Sequence, residues 1–353
     1  MPAAVNASLA RRAAVTFLMA AVGGALFEWL RMPAGWLSGG MLFVAAASLG
    51  GLKSEVPEKC RWLFFLIIGI FAGSGANPQT LEQIGTWPAS FGILMISIAA
   101  VTAVSYVLLN RLFAWDSQTA LFSSLPGALS FVLAAVEGMN VDVRKVAIAQ
   151  SIRLLILVEI FPLAVLLTGR PSDTAVGESA RTMAFPDMLL LIVGGAIGGI
   201  VVQTMRLPGG LLLGGLLVSA GLFLSGTVSG EFPAWLIVPG MIGLGAVIGS
   251  RVRPGDRLLL PTIALASVTA FCAAMLISAL AAQMASLWLG ISFIQTFLAF
   301  APGAFEAVAI LAFAMQVDPA YVAAHHVARF FVLALFVPVL ARWIINREER
   351  SDV

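Results

Sequence analysis

The chain has 353 residues, of which 60% are hydrophobic and only 11% are charged, with a formal net charge of +2. A soluble protein carries about 25% charged residues, and no stretch of this chain is long and polar enough for a soluble domain. The composition therefore excludes a soluble enzyme or regulator and predicts an integral membrane protein that lies almost wholly in the bilayer.

Ten apolar runs are predicted to cross the membrane as helices, five on each side of a polar linker. Several are about 17 residues long, which is the short end of what spans about 30 Å of hydrocarbon. The predicted crossings are 13–30, 34–50, 61–76, 88–110 and 143–168 in the first half and 187–204, 209–225, 234–250, 259–284 and 319–343 in the second.

The two halves are copies of one sequence. The longest matched segments are 126–163 and 302–339, which are 176 positions apart. The glycine-rich runs of the earlier helices are also duplicated, and we expect them to serve close helix packing. We predict repeat one at 1–168, a linker at 169–183 and repeat two at 184–353. The other matched motifs are RMPAGWLSGGML at 31–42 with RLPGGLLLGGLL at 206–217 (offset 175), and GIFAGSGA at 69–76 with GLGAVIGS at 243–250 (offset 174).

Each half also contains a shorter apolar piece between its fourth and fifth crossings, at about 117–138 and 293–315. A Pro-Gly pair interrupts each piece. Proline removes a helical hydrogen bond and glycine loosens the backbone, so we expect two short half-helices on either side of the break.

The distribution of basic residues decides how these broken pieces are placed. If each piece dips into the membrane and returns, fifteen Lys and Arg residues fall on one side and three on the other; if each piece crosses, the split is eleven to seven. Lys and Arg accumulate in cytoplasmic loops. We therefore predict an all-α polytopic membrane protein with two inverted repeats, each of five transmembrane helices and one Pro-Gly-broken re-entrant hairpin. Both termini are expected in the cytoplasm of a bacterial inner membrane.

The tips of the two hairpins are the first candidate binding site. A half-helix that begins just after Gly127 or Gly303 directs free N–H groups and the positive end of its dipole toward mid-membrane, which suits an anion. The alternative is a structural kink packed against its neighbours. The tip residues are Ser123, Ser124, Pro126, Gly127 and Ser130 in the first half and Pro302, Gly303 and Glu306 in the second.

Two arginines in the fifth helices are the second candidate. Arg153 follows Gln150 by three residues, and Arg329 follows His326 by three and His325 by four, so each set can share one helical face. A charge inside a membrane is costly unless it meets a partner or a cavity. One interpretation has the arginines binding an anion, or pairing with acids at the tips, while a histidine handles protons. The other has each arginine capping carbonyl groups of the broken hairpin, and the sequence leaves both open.

Two aspartates, Asp142 and Asp318, directly precede the fifth helices. An aspartate at this position accepts hydrogen bonds from the free N–H groups of the first helical turn. We therefore expect both to be helix N-caps, and we favour this over ion binding or catalysis.

A family resemblance rests on two pairs of matched blocks. These are RMPAGWLSGG with RLPGGLLLGG, and LPGALSFV…VD…R with APGAFEAV…VD…R. Both halves resemble the AbrB-type bacterial membrane proteins with an internal duplication, whose members have been labelled regulators or ammonia monooxygenases. They share a name, but no resemblance, with the soluble DNA-binding AbrB regulator. More distantly, each half is similar to the cation:proton antiporter and anion transporter superfamily, which implies an ion or substrate site at the broken element. The tandem aspartates of its electrogenic members are absent, so Na⁺/H⁺ exchange is not implied.

These features predict a secondary active transporter of a small anionic solute, coupled to H⁺ or Na⁺. The alternative is a membrane-embedded regulator or sensor that acts indirectly on gene expression. A membrane oxygenase needs several His or carboxylate metal ligands, whereas the two histidines of this chain are adjacent in sequence. We therefore predict no enzymatic activity, no metal site and no cofactor. The expected partners are the solute, the coupling ion and the lipid bilayer, with no nucleic acid; a homo-oligomer is left open.

Overall fold

The computed structural model describes residues 2–76, 85, 87–126, 132, 139, 141–168, 183–205, 209–303, 305–315 and 317–349. In these ranges the chain is helical, with short connections. The helices are α1 (Pro2–Trp29), α2 (Gly35–Leu49), α3 (Glu58–Ser74), α4 (Trp87–Val107, continued by a π-helical turn at Leu108–Leu112), α5 (Ser117–Ser124), α6 (Val143–Thr168), α7 (Phe185–Thr204), α8 (Gly210–Leu224), α9 (Ala234–Gly249), α10 (Leu260–Leu289), α11 (Phe293–Phe300), α12 (Phe305–Ala314) and α13 (Pro319–Glu349), with a 3₁₀ turn at Pro254–Leu258.

Five segments of the described chain are long and apolar enough to cross a membrane by length and composition. Helices α2, α8 and α9 are apolar but shorter. This pattern agrees with a polytopic membrane protein, while the ten crossings and the re-entry of the broken pieces stay predictions. The five segments are Leu9–Trp29, Trp87–Leu112, Phe185–Thr204, Leu260–Leu289 and Pro319–Val337.

Pairs of glycines bring neighbouring helices into close contact. Gly23 of α1 faces Gly39 of α2, and a Cβ atom added to either would overlap the carbonyl group of the other. Gly198 of α7 and Gly214 of α8, each 175 positions later, form the same contact. The expectation that the glycine-rich runs serve close helix packing is confirmed.

The third helix of each half packs on the second helix of the other half. Gly69 of α3 lies against the carbonyl of Leu212 in α8, and Gly245 of α9 lies against the carbonyl of Leu37 in α2. Gly69 and Gly245 are thus equivalent positions. The offset between α3 and α9 is therefore 176 residues. The predicted offset of 174 is wrong by two residues, because the similar small residues of the two helices can also be aligned with that shift.

The helices form two compact units that do not coincide with the two repeats. The first unit holds α1, α2 and α3 of one half with α7, α8 and α9 of the other, and also α6 from Leu155 onward, α12 from Glu306 and α13 up to Ala323. The second unit holds α4, α5, α10 and α11, together with the parts of α6 and α13 that carry Arg153 and Arg329. Each unit therefore contains helices of both halves. The predicted repeat boundaries at 1–168 and 184–353 concern the duplication itself and stay a prediction.

Within the second unit, each half supplies one long helix and one half-helix. Helix α4 packs along α10, α5 packs on α4, and α11 packs on α10. The Oγ1 atom of Thr296 in α11 donates to the carbonyl of Ala282 in α10 at 3.1 Å.

Candidate functional site

Both half-helices end where the sequence predicts. Helix α5 ends at Ser124 and α11 ends at Phe300, and the next residues, Leu125 and Ala301, are extended, with ψ angles of 124° and 133°. A residue before proline is forced out of the helical region, so Pro126 and Pro302 account for both ends.

The half-helix that follows the Pro-Gly break is described only in the second half of the chain. Gly303 lies between α11 and α12, and α12 begins at Phe305, which confirms the predicted pair of half-helices there. Gly127 and Ser130 lie outside the described residues. Glu306 belongs to α12, but its side chain lies outside the described part, so the expectations for these three residues stay predictions.

In the first half, Arg153 and Gln150 of α6 bind the end of α5. The Nη1 atom of Arg153 donates to the carbonyl of Leu125 at 3.0 Å, and its Nη2 atom donates to Oε1 of Gln150 at 2.9 Å. The Nε2 atom of Gln150 lies 3.4 Å from the carbonyl of Phe122, to which it donates. Both side chains are buried.

In the second half, Arg329 and His326 of α13 bind the end of α11 in the same way. The Nη1 atom of Arg329 donates to the carbonyl of Ala301 at 2.6 Å, and Nη2 donates to the carbonyl of Gly303 at 2.7 Å. Nη2 also lies 2.6 Å from Nδ1 of His326, whose Nε2 lies 3.0 Å from the carbonyl of Leu298. Each participant other than Gly303 lies 176 positions after its first-half equivalent.

The arginines therefore cap the two half-helices. The last carbonyl groups of a helix have no helical partner, and a cation near that end is favoured by the helix dipole. Within the described side chains, neither Arg153 nor Arg329 pairs with a carboxylate. The interpretation that they cap carbonyl groups is confirmed, and their pairing with acids at the tips is not seen in the described part.

The hydrogen bonds of His326 fix which of its ring nitrogens carries hydrogen. A guanidinium group only donates, so Nδ1 is the acceptor toward Arg329. A backbone carbonyl only accepts, so Nε2 carries the hydrogen toward Leu298. A neutral His326 thus offers the acceptor and donor that the Gln150 amide offers in the first half. Adding a proton at Nδ1 would remove the acceptor that holds Arg329.

His325 takes a different direction from its neighbour. Its Nε2 atom lies 2.8 Å from Oγ of Ser90 in α4, and its ring centroid lies 4.4 Å from that of Phe91, 5.9 Å from that of Phe300 and 6.4 Å from that of Trp87. The side chain is fully buried. His325 therefore has α4 as a partner, and its approach to the face of Arg329 stays a prediction.

Two neighbouring serines at the end of α5 differ in their hydrogen bonding. The Oγ atom of Ser124 donates to the carbonyl of Leu121 at 2.7 Å. The Oγ atom of Ser123 and the Nε atom of Arg153 are buried and have no hydrogen-bond partner in the part of the chain that the structure describes. The end of α5 therefore holds two buried donors that no described residue accepts from.

The backbone partners of the site are not predictable from the sequence. The carbonyl groups of Phe122, Leu125 and Leu298 could not be singled out, because every residue carries a carbonyl group. A signal existed in the constant separation of 28 residues between each arginine and the residue before the proline, Leu125 or Ala301. Ser90 and the aromatic residues around His325 carried no comparable signal.

Comparisons with known proteins cover nearly the whole chain. Residues 36–345 match the family model described as "Transition state regulatory protein AbrB". A protein of Escherichia coli (strain K12) named "Putative regulator AbrB" is 26% identical over 333 residues, which span 90% of this chain and 92% of that protein. The "Uncharacterized protein YhjN" of Bacillus subtilis (strain 168) is 24% identical over 355 residues, spanning 92% of this chain and 91% of that protein. The matched range contains both broken elements and both arginines.

Proposed function

Since this chain belongs to the AbrB family, as the match over residues 36–345 shows and as its duplicated motifs indicated, we propose that the family fold serves transport here. The protein is a secondary active transporter of a small anionic solute, driven by H⁺ or Na⁺. It lies in the bacterial inner membrane, has both termini in the cytoplasm, and is not an enzyme. Its site is formed at the two broken elements.

One observation carries this proposal: two guanidinium groups are buried in the same compact unit, and their hydrogen-bond partners among the described residues are all neutral. The exposed fractions of Arg153 and Arg329 are 7% and 4%. Carbonyl groups accept hydrogen bonds from both guanidinium groups but do not neutralise their charge. Two like charges in an apolar interior are costly unless a counter-charge is supplied. A bound anion supplies that counter-charge.

The doubled, broken architecture supports transport over simple binding. Broken helices at membrane depth are tolerated where they line a cavity or are covered by protein, and paired broken helices from two halves form the solute sites of many secondary transporters. Both histidines are engaged with the protein, His326 with Arg329 and His325 with Ser90. This supports a function that does not use them as metal ligands.

Regulation is the second candidate, and it is favoured by the name of the Escherichia coli relative, "Putative regulator AbrB". We infer that any such effect is indirect and follows from the solute that is moved. In a strain lacking this protein, a change in gene expression should be corrected by supplying or removing one metabolite. If the transport-deficient Arg329→Gln variant restores expression as well as the natural protein does, regulation is independent of transport.

The transport proposal is tested by removing each charge while keeping a hydrogen-bond donor. A thermal-shift screen of sodium salts of small carboxylates, phosphate and sulfate, and of amine chlorides, first identifies an ion that raises the melting temperature of the purified protein. Uptake of that ion into proteoliposomes is then measured with an imposed H⁺ or Na⁺ gradient. We expect Arg153→Gln and Arg329→Gln to reduce uptake by about tenfold or more, because a buried counter-charge is lost.

The control is Arg257→Gln, which removes an exposed arginine from the second half. It should leave uptake unchanged. Gradient-driven uptake at the natural rate in both buried-arginine variants would show that these arginines only cap helices and would remove the proposed site.

A further inference from the structure

Two buried hydrogen-bond donors, Ser123 Oγ and Arg153 Nε, lie at the end of α5. Ser123 is 6% exposed and Arg153 is 7% exposed, and neither the Ser123 Oγ atom nor the Arg153 Nε atom has a hydrogen-bond partner among the described residues. A buried donor without a partner loses its bonds to water and gains nothing in return. Native proteins rarely leave such groups without a partner, and a ligand that accepts from both removes the cost.

Both donors belong to the same helix end. Arg153 is tied to the carbonyl of Leu125, and its neighbour Gln150 is tied to the carbonyl of Phe122. Ser123 lies between Phe122 and Leu125 in the sequence. The arginine is therefore held in place through its two Nη atoms, and its Nε–H group remains available at the helix end that carries the Ser123 hydroxyl.

The two halves are not equivalent at this point. The position that matches Ser123 in α11 is Ala299, which has no side-chain donor. The free hydroxyl is therefore specific to the first half, although the capping of the half-helices is common to both. A solute that needs this hydroxyl binds on the side of α5.

We propose that Ser123 Oγ and Arg153 Nε form the binding site for the carboxylate group of a small monocarboxylate. This inference rests on the proposed transport function and names its substrate class. A carboxylate has two oxygens that accept hydrogen bonds, one from the Nε–H group and one from the hydroxyl. Hydrogen bonds in which the partners are charged are the strong ones.

The test compares Ser123→Ala with Ser124→Ala in the full-length protein. The two serines are adjacent, both are buried, and only Ser124 already has a hydrogen-bond partner. Melting temperature is measured against increasing sodium formate, acetate and propionate, with sodium chloride at equal ionic strength as the reference. We expect all three carboxylates to stabilise the natural protein. The apparent affinity should fall about tenfold or more in Ser123→Ala, because a hydrogen bond to a charged group is lost.

Ser124→Ala should keep the natural affinity. Without carboxylate, Ser123→Ala should melt at or above the temperature of the natural protein, because it removes a buried hydroxyl that has no partner. This measurement shows that the variant folds. Equal carboxylate affinity in Ser123→Ala and the natural protein, or an equal loss in Ser124→Ala, overturns the proposed site.

The salt screen separates this inference from the transport proposal. If phosphate or sulfate stabilises the natural protein while formate, acetate and propionate do not, the carboxylate site is wrong and an anion transporter still stands. If no anion in the screen has an effect, both proposals fail.

Discussion

An arginine in each half is accompanied by a hydrogen-bonding residue three positions before it, a glutamine in one half and a histidine in the other. Gln150 accepts from Arg153 and donates to the carbonyl of Phe122; His326 accepts from Arg329 and donates to the carbonyl of Leu298. The amide and the neutral imidazole offer the same pair of atoms at the same place. At the residue scale, His326 therefore positions Arg329 in this structure, and a role of His326 in carrying protons stays a prediction.

This equivalence predicts how substitutions at His326 behave. His326→Gln should leave the free energy of unfolding within about 1 kcal/mol of the natural protein, because the acceptor and the donor are both retained. His326→Leu should lower it by about 1–3 kcal/mol or more, since Arg329 and the Leu298 carbonyl each lose a buried partner. Thermal unfolding of the purified variants measures both values.

The reciprocal change serves as a control. Gln150→His should be tolerated as His326→Gln is. The equivalence is wrong if His326→Gln and His326→Leu are destabilised to the same degree.

At the scale of elements, the half-helices are defined by short sequence signals at both ends. Asp116 caps the start of α5 by accepting from the backbone N–H of Thr119 at 2.7 Å, and Pro126 forces its end. Asp142 accepts from the N–H of Lys145, and Asp318 accepts from the N–H groups of Ala320 and Tyr321, which confirms the expected N-caps. Long helices, by contrast, are positioned by glycine contacts whose partners lie more than a hundred residues away in some cases.

Two glycines of α8, Gly214 and Gly221, allow a matched pair of substitutions that tests the role of close helix contacts. Gly214→Ala should lower the free energy of unfolding by about 1–3 kcal/mol, because the added methyl group overlaps the carbonyl of Gly198 in α7. Gly221→Ala lies on the same helix, where a Cβ atom meets nothing within 4 Å, and should raise it by up to about 1 kcal/mol. Melting temperatures of the two variants should therefore move in opposite directions. Equal shifts would show that the α7–α8 crossing does not depend on Gly214.

At the scale of the whole molecule, neither half of the chain forms a compact unit alone. The first unit needs α1–α3 and α7–α9, and the second needs α4 and α5 with α10 and α11. The contacts of Gly69 with Leu212 and of Gly245 with Leu37 each join the two halves. Neither unit can therefore fold until helices of both repeats are present.

This arrangement predicts the behaviour of a divided protein. Residues 1–175 and 176–353 expressed separately should be degraded or should aggregate, because each lacks half of both units. Expressed together, they should purify as a complex with a melting temperature close to that of the intact chain, since the division falls in the predicted linker. Size-exclusion chromatography and thermal unfolding test this, and a stable, monodisperse first half on its own would contradict it.

The sequence by itself determined what depends on neighbouring residues and on internal comparison. The all-helical, apolar character, the duplication, the breaks at Pro126 and Pro302 and the caps at Asp142 and Asp318 were all readable, because each follows from backbone chemistry within a few residues or from repeated letters. The family followed from the same repeated motifs. The candidate arginines and their Gln150 and His326 neighbours were also found, because a buried charge stands out in an apolar run.

Only the tertiary structure decided which helices meet and what the buried side chains bind. Every residue carries a carbonyl group, so no sequence pattern could assign Leu125 and Ala301 to the arginines. The two histidines are adjacent in sequence, yet His325 binds Ser90 of α4 while His326 binds Arg329, because residues one apart on a helix face different neighbours. The two compact units were equally hidden, since each combines helices from distant parts of the chain, and the free donors of Ser123 and Arg153 appear only once those helices have packed.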